Sequence, residues 1–184
     1  MKQKSTKGVA LVGFMLAALC ASSSFADVRW RSIVGVITAP DDLTTDAAEN
    51  INNPVGKVGS GTFPWSVRAG RARVDLATGK TSFEVHGLVI NGQTFSGTPG
   101  PVTAVTGTVV CNAGGGPSEV ELDTSDVPID GEGNARFSGM IQGVPAMCSN
   151  PLFLVRIATI ANPDNPNGAR GRWIATGTER STRP

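Results

Sequence analysis

GRARVDLATGKTSFEVHGL, Gly70 to Leu88, holds two runs of alternating apolar and polar residues around the pair Thr78-Gly79. Alternation with a period of two sends successive side chains to opposite faces of a strand, and a Thr-Gly break between two such runs reads as an antiparallel hairpin. With Thr78-Gly79 as the turn, Val74 faces Phe83 and Ala72 faces Val85 on one side. On the other side Arg73 faces Glu84, Arg71 faces His86 and Asp75 faces Ser82. This register joins apolar with apolar and Arg73 with an acid, as cross-strand pairing favours. A slip of one residue would set Val74 against Ser82 and mix the two faces.

The same reading extends outward. Further strand candidates are Val28–Ile37, Trp65–Leu76, Thr81–Ile90, Pro101–Cys111, Ser118–Asp123, Asn134–Gln142, Pro151–Ile160 and Arg170–Gly177, the second and third containing the arms of the hairpin. These runs are short and rich in Val, Ile and Thr, in a chain with 23 Gly, 12 Pro and no Tyr; that composition favours strands separated by turns. FLVRIATI (Phe153–Ile160) is apolar on both faces except at Arg156, which suits an interior strand. NARFSGMI alternates, with Ala135, Phe137, Gly139 and Ile141 inward and Arg136 and Ser138 outward. No stretch sustains a helical period, although Asp41–Asn50 could form one short helical turn. The expectation is an all-β fold, a single antiparallel β-sandwich of about eight strands, with a closed β-barrel as the alternative. The polar segment 40–61 reads as a long crossover loop, and the tail TERSTRP (Thr178–Pro184) as frayed.

The N-terminus determines how much of the chain folds. Lys2, Lys4 and Lys7 precede an apolar run of about a dozen residues, followed by Ser24-Phe25-Ala26. A basic segment, a short apolar run and a small-x-small ending are the marks of a secretory signal peptide, here residues 1–26 with cleavage after Ala26. The run falls short of the ~20 residues that span a bilayer, and no later run is longer. Leu19 before Cys20 does not fit a lipidation signal, which wants a small residue there. Loss of Lys2, Lys4 and Lys7 leaves thirteen bases against fifteen acids, a net charge of −2 for residues 27–184. A slightly acidic chain offers no general support for nucleic-acid or anionic-membrane binding. Residues 27–184 suit one exported domain, periplasmic or extracellular.

Cleavage also removes Cys20, leaving Cys111 and Cys148, 37 positions apart. Two cysteines in an exported chain most simply form one disulfide. His86 is the sole histidine, so a zinc site built on several histidines is excluded, and no Gly-x-Ser-x-Gly elbow marks a Ser-His-Asp hydrolase. From Glu119 to Glu132 the chain carries six acids and no base, among them Asp123, Asp126, Asp130 and Glu132. Such a cluster could hold calcium, but Glu119, Glu121 and Asp123 alternate like the solvated face of a strand, and Asp130-Gly-Glu-Gly lacks EF-hand spacing. Gly114-Gly115-Gly116 is followed by neither Lys nor a helix signal and is not a phosphate loop. No cofactor is expected.

Two resemblances rest on these motifs. The Gly70–Leu88 layout, Gly-x-x-x-Val-x-Leu, then Thr-Gly, then apolar-x-Val-x-Gly-Leu, resembles the opening of the CHRD domain, an extracellular β-module. The chain departs from that family where a His-Ile-His stretch would follow, since Ile90–Val102 reads INGQTFSGTPGPV. The runs CSNPLFLVR (Cys148–Arg156) and GRWIATG (Gly171–Gly177) are similar to those of small exported β-proteins of Gram-negative bacteria. Both resemblances imply a secreted β-protein, and neither carries an activity.

The functional expectation is an exported, non-enzymatic binding or envelope-associated module. One alternative is a hydrolase or lyase using carboxylates such as Asp126, Asp130 or Glu84; the other is a small-ligand or lipid carrier built as a barrel. Converging carboxylates with one in a dry environment would mark the enzyme, and an apolar cavity the carrier.

Overall fold

The computed structural model describes residues 27–36, 63–92, 94–114, 116–160 and 171–183. The expected signal peptide, the short helical turn at 41–50 and the loop 40–61 lie outside the described residues. All described secondary structure is β. The strands are β1 (Asp27–Gly35), β2 (Trp65–Ser66), β3 (Ala69–Asp75), β4 (Lys80–His86), β5 (Val89–Ile90), β6 (Val102–Cys111), β7 (Val120–Asp123), β8 (Val127–Pro128), β9 (Ala135–Met140), β10 (Leu152–Ile160) and β11 (Trp173–Arg183). Nine of them form one antiparallel sheet in the order β7-β6-β10-β11-β1-β3-β4-β9, with β8 also on β6, while β2 and β5 make a small second sheet.

The large sheet curls into half a barrel, and its aromatic residues show why. Phe153 on β10 and Phe83 on β4 lie four strands apart in the sheet, about 19 Å along a flat one at ~4.8 Å per strand. Their ring centroids are 5.5 Å apart. Trp30 packs on Phe153 at 5.6 Å and Phe83 on Phe137 at 6.0 Å, so four rings from β1, β4, β9 and β10 fill the hollow of the curl. Gly107 on β6 permits the closure: a Cβ there would sit 2.7 Å from two ring carbons of Phe83.

The alternation of Gly70–Leu88 is realised with its faces as expected. Ala72, Val74, Phe83 and Val85 are buried, and Arg71 and Arg73 are exposed. The register differs by two residues. Val74 pairs with Thr81, Ala72 with Phe83, Arg71 with Glu84 and Ala69 with His86. Asp75 is the reason: its carboxylate accepts from the N–H groups of Ala77 and Thr78, and its carbonyl accepts from the N–H of Gly79 at 2.7 Å. A side-chain cap of this kind competes with a tight two-residue turn, and Gly79 supplies the positive φ (76°) that closes the wider loop. Because the shift is even, no side chain changes face.

FLVRIATI is an interior strand, between β6 and β11, with Phe153, Leu154 and Val155 fully buried. The alternation of β9 also holds, with Ala135, Phe137 and Ile141 buried and Arg136 and Ser138 exposed. Two expected strands are each divided, into β2 and β3 and into β4 and β5, and β2 pairs with β5 to make the small sheet. The segment 178–183, read as frayed, is paired: Thr178, Arg180, Ser181, Thr182 and Arg183 face Ser32, Trp30, Arg29, Val28 and Asp27. Polar composition led to that reading, yet a strand held by a neighbour's backbone needs few apolar side chains of its own.

Cys111 and Cys148 form a disulfide, with Cα atoms 4.8 Å apart. Beside it, the N–H of Asn112 donates to Ser149 O and the N–H of Ser149 donates to Asn112 Oδ1. The bridge therefore fastens the end of β6 to the approach to β10, its neighbour in the sheet.

Candidate functional site

The acidic stretch divides into two unrelated places. Asp123 and Asp126 line a small polar pocket of about 160 Å³ with Thr106 and Arg156. Thr108 Oγ1 donates to Asp123 and Thr106 Oγ1 to Asp126, both at 2.6 Å. Arg156 Nη1 bridges Glu121 at 2.8 Å and Asp123 at 3.5 Å, and its Nε donates to Gly171 O. Asp130 and Glu132 instead shape the turn before β9. Asp130 accepts from the N–H groups of Glu132 and Asn134 and from Asn134 Nδ2. The Asn134 backbone N–H and side chain, outweighing a small effect of burial, hold the Asp130 carboxyl below its ordinary range. Among the described residues no group of three or more His, Cys, Asp and Glu side chains could hold a metal ion. These acids are occupied by hydrogen bonds that build loops.

The outward face of β1, β3, β4 and β9 carries the opposite charge. A groove of about 460 Å³ is lined by Arg29, Arg31, Arg71, Arg73 and Arg136 with Ser82, Ser138 and one acid, Glu84. Trp30, Ala72, Phe83 and Phe137, whose side chains are buried, complete its floor. Strand pairing assembles it in rows: Arg29 is opposite Arg73, Arg73 opposite Ser82, and Ser82 opposite Ser138. In the next row Arg71 is opposite Glu84, and Glu84 is opposite Arg136.

Directly opposed like charges destabilise a sheet unless a counter-charge stands between them. Asp27 does this for the first row: one carboxylate oxygen takes Arg29 Nη2 at 2.8 Å, and the other takes Arg73 Nε at 2.7 Å. Burial acts to raise the Asp27 carboxyl, but the hydrogen bonds and charges of Arg73 and Arg29 outweigh it and hold the group below its ordinary range. In the second row Glu84 takes Arg71 Nε at 2.8 Å. Arg31 and Arg136 are exposed, and among the described residues no hydrogen bond or ion pair holds either side chain. They stand on β1 and β9, three strands or ~14 Å apart, at the two ends of the groove. Five guanidinium forks over one lining carboxylate, with Asp27 and its cross-strand partner Asp75 at the flank, leave a surplus of positive charge on this face. Planar forks of this kind bind oxyanions two bonds at a time.

No family model, curated protein or solved structure matches this chain.

The arginine face escapes a charge sum taken over residues 27–184, whose net of −2 conceals it. A signal was present: Arg29 and Arg31 alternate around Trp30, Arg71 and Arg73 around Ala72, and Arg136 precedes Phe137. Each is one arginine stripe on the outward face of a strand. What could not be read was that β1, β3, β4 and β9 are neighbours.

Proposed function

We propose that this chain is an exported, non-enzymatic β-module that holds an anionic partner on its arginine-lined sheet face. The groove with five arginines and one lining acid carries this reading. Export is supported by the signal-peptide pattern and by the Cys111–Cys148 bridge, which suits an oxidising compartment, and no helix among the described residues is long and apolar enough to cross a membrane. The hydrolase alternative finds less support. Asp123 and Asp126 are exposed and hydrogen-bonded, and Glu84 is ion-paired with Arg71, whereas acid–base glycosidases hold one carboxylic acid away from water. For a carrier, the four aromatic rings take up the hollow in which a ligand would lie.

Two measurements test the reading. N-terminal sequencing of the exported protein is expected to begin at Asp27, and retention of residues 1–26 would overturn the export reading. Residues 27–184, with a net charge of −2, should on charge alone pass a sulfonate column at neutral pH and low salt. The arginine face is expected to retain the protein and to release it as salt screens the contact. Passage without retardation would overturn the anion-binding reading.

A further inference from the structure

The composition of the arginine face narrows the chemistry of its partner. Glu84 stands within a row of cations, opposite Arg71 on one side and Arg136 on the other. A bare phosphate chain has no hydrogen to donate to the Glu84 carboxylate, whose charge Arg71 Nε offsets at 2.8 Å. A ligand with hydroxyl groups would donate to it. Ser82 and Ser138, opposite each other in the adjacent row, add two hydroxyls that donate or accept. The rings beneath the groove, Trp30, Phe83 and Phe137, are buried and present no face on which nucleic-acid bases could stack. Arg31 and Arg136, without side-chain partners among the described residues, stand on strands ~14 Å apart along the sheet, which leaves room for each to take a separate anionic group.

We infer that the partner is an acidic polysaccharide, a chain alternating anionic groups with hydroxyls, laid across β1, β3, β4 and β9 so that Arg31 and Arg136 each take one anionic group while Glu84 and the serines take hydroxyls between. This inference rests on the anionic reading of the face and specifies its ligand. With no aromatic platform, binding depends on charge and hydrogen bonds and is steeply salt-dependent.

The test is fluorescence-polarisation binding of the full exported chain to labelled oligogalacturonides, with linear polyphosphate as the comparison. A galacturonate hexamer is expected to bind at least about tenfold tighter than the dimer, which is too short to reach both arginines, and its methyl ester is expected not to bind. The Arg31→Gln/Arg136→Gln double variant is expected to lose about tenfold in hexamer affinity and to show a flatter salt dependence. Glu84→Gln separates the chemistries: it frees Arg71 for any anion but costs the hexamer a charged acceptor for its hydroxyls, so it should strengthen polyphosphate more than the hexamer. If Glu84→Gln folds poorly, Ser82→Ala/Ser138→Ala, which leaves the charge intact, should weaken the hexamer and leave polyphosphate unchanged. If polyphosphate binds as tightly as the hexamer and the Glu84 or serine variants move both ligands alike, the polysaccharide inference falls while the anion-binding reading stands. If neither ligand binds and the sulfonate column does not retain the protein, both fall.

Discussion

Replacing Gly107 by alanine would place a methyl carbon 2.7 Å from two ring carbons of Phe83 and 3.0 Å from Cζ of Phe153. Neither ring can step aside freely, because Phe83 is stacked on Phe137 and Phe153 lies against Trp30. Two effects of opposite sign compete. In a strand with open space, Gly→Ala stabilises by about 0.5–1 kcal/mol, since alanine loses less backbone freedom on folding. Overpacking a filled core costs typically 1–3 kcal/mol. The expected net effect of Gly107→Ala is a loss of about 1–2 kcal/mol, and its sign reports whether β4 closes over β6. Phe83→Leu makes room for the methyl and costs about 1–2 kcal/mol alone by the same large-to-small reasoning. The double variant should therefore be more stable than the sum of the singles by about 1 kcal/mol. Urea unfolding followed by tryptophan fluorescence measures all four proteins, provided that the slope against denaturant is unchanged. Gly107→Ala at or above wild-type stability, or strict additivity in the double variant, would refute the closed curl.

Further expectations address the staple, the charges and the acidic turn. Cys111→Ala/Cys148→Ala opens a loop of 37 positions and should cost about 4 kcal/mol in the chain-entropy model, less whatever the Asn112–Ser149 pair retains; urea midpoints with and without reductant should show wild type falling to the level of the variant. The Asp27 carboxyl is lowered in the folded state, so its stabilisation is present above its ordinary value of 3.8 and is lost as pH falls through the lower folded value. Asp27→Asn should thus be less stable at neutral pH, by under about 1 kcal/mol because Arg29 and Arg73 are 41% and 54% exposed, and should converge with wild type in acid. The same variant frees Arg29 and Arg73 and should elute later from the sulfonate column. Arg156→Gln leaves Glu121 and Asp123 side by side without their cation and should cost about 1–3 kcal/mol by thermal or urea unfolding, whereas Asp130→Asn, in an exposed turn, should have a smaller effect.

What could be read before the structure was whatever lies within one strand or one turn. The inward and outward faces of Ala72, Val74, Phe83 and Val85 follow from alternation alone, as does the interior position of Phe153–Val155 from a run apolar on both faces. The disulfide follows from counting, since two cysteines leave one pairing. The register at Asp75 was not legible, because a carboxylate choosing between two backbone N–H groups and open solvent decides it by small free energies. The pairing of Thr178–Arg183 was not legible either: the partner strand lies some 150 positions away, and those residues are held by hydrogen bonds rather than by burial. The arginine face combines both difficulties. Its stripes are local and visible at Arg29, Arg71, Arg73 and Arg136, but its existence as a surface depends on strand order.

That strand order also bears on how the protein is made. The first strand, β1, sits between β3 and the last strand, β11, so the middle of the sheet is a seam between the two ends of the domain. A ribosome delivers β1 well before β11, and until β11 emerges β1 and β10 present open edges at the sheet's centre. Any message truncated before Trp173 would yield a product with two unsatisfied ladders side by side, a ready template for aggregation.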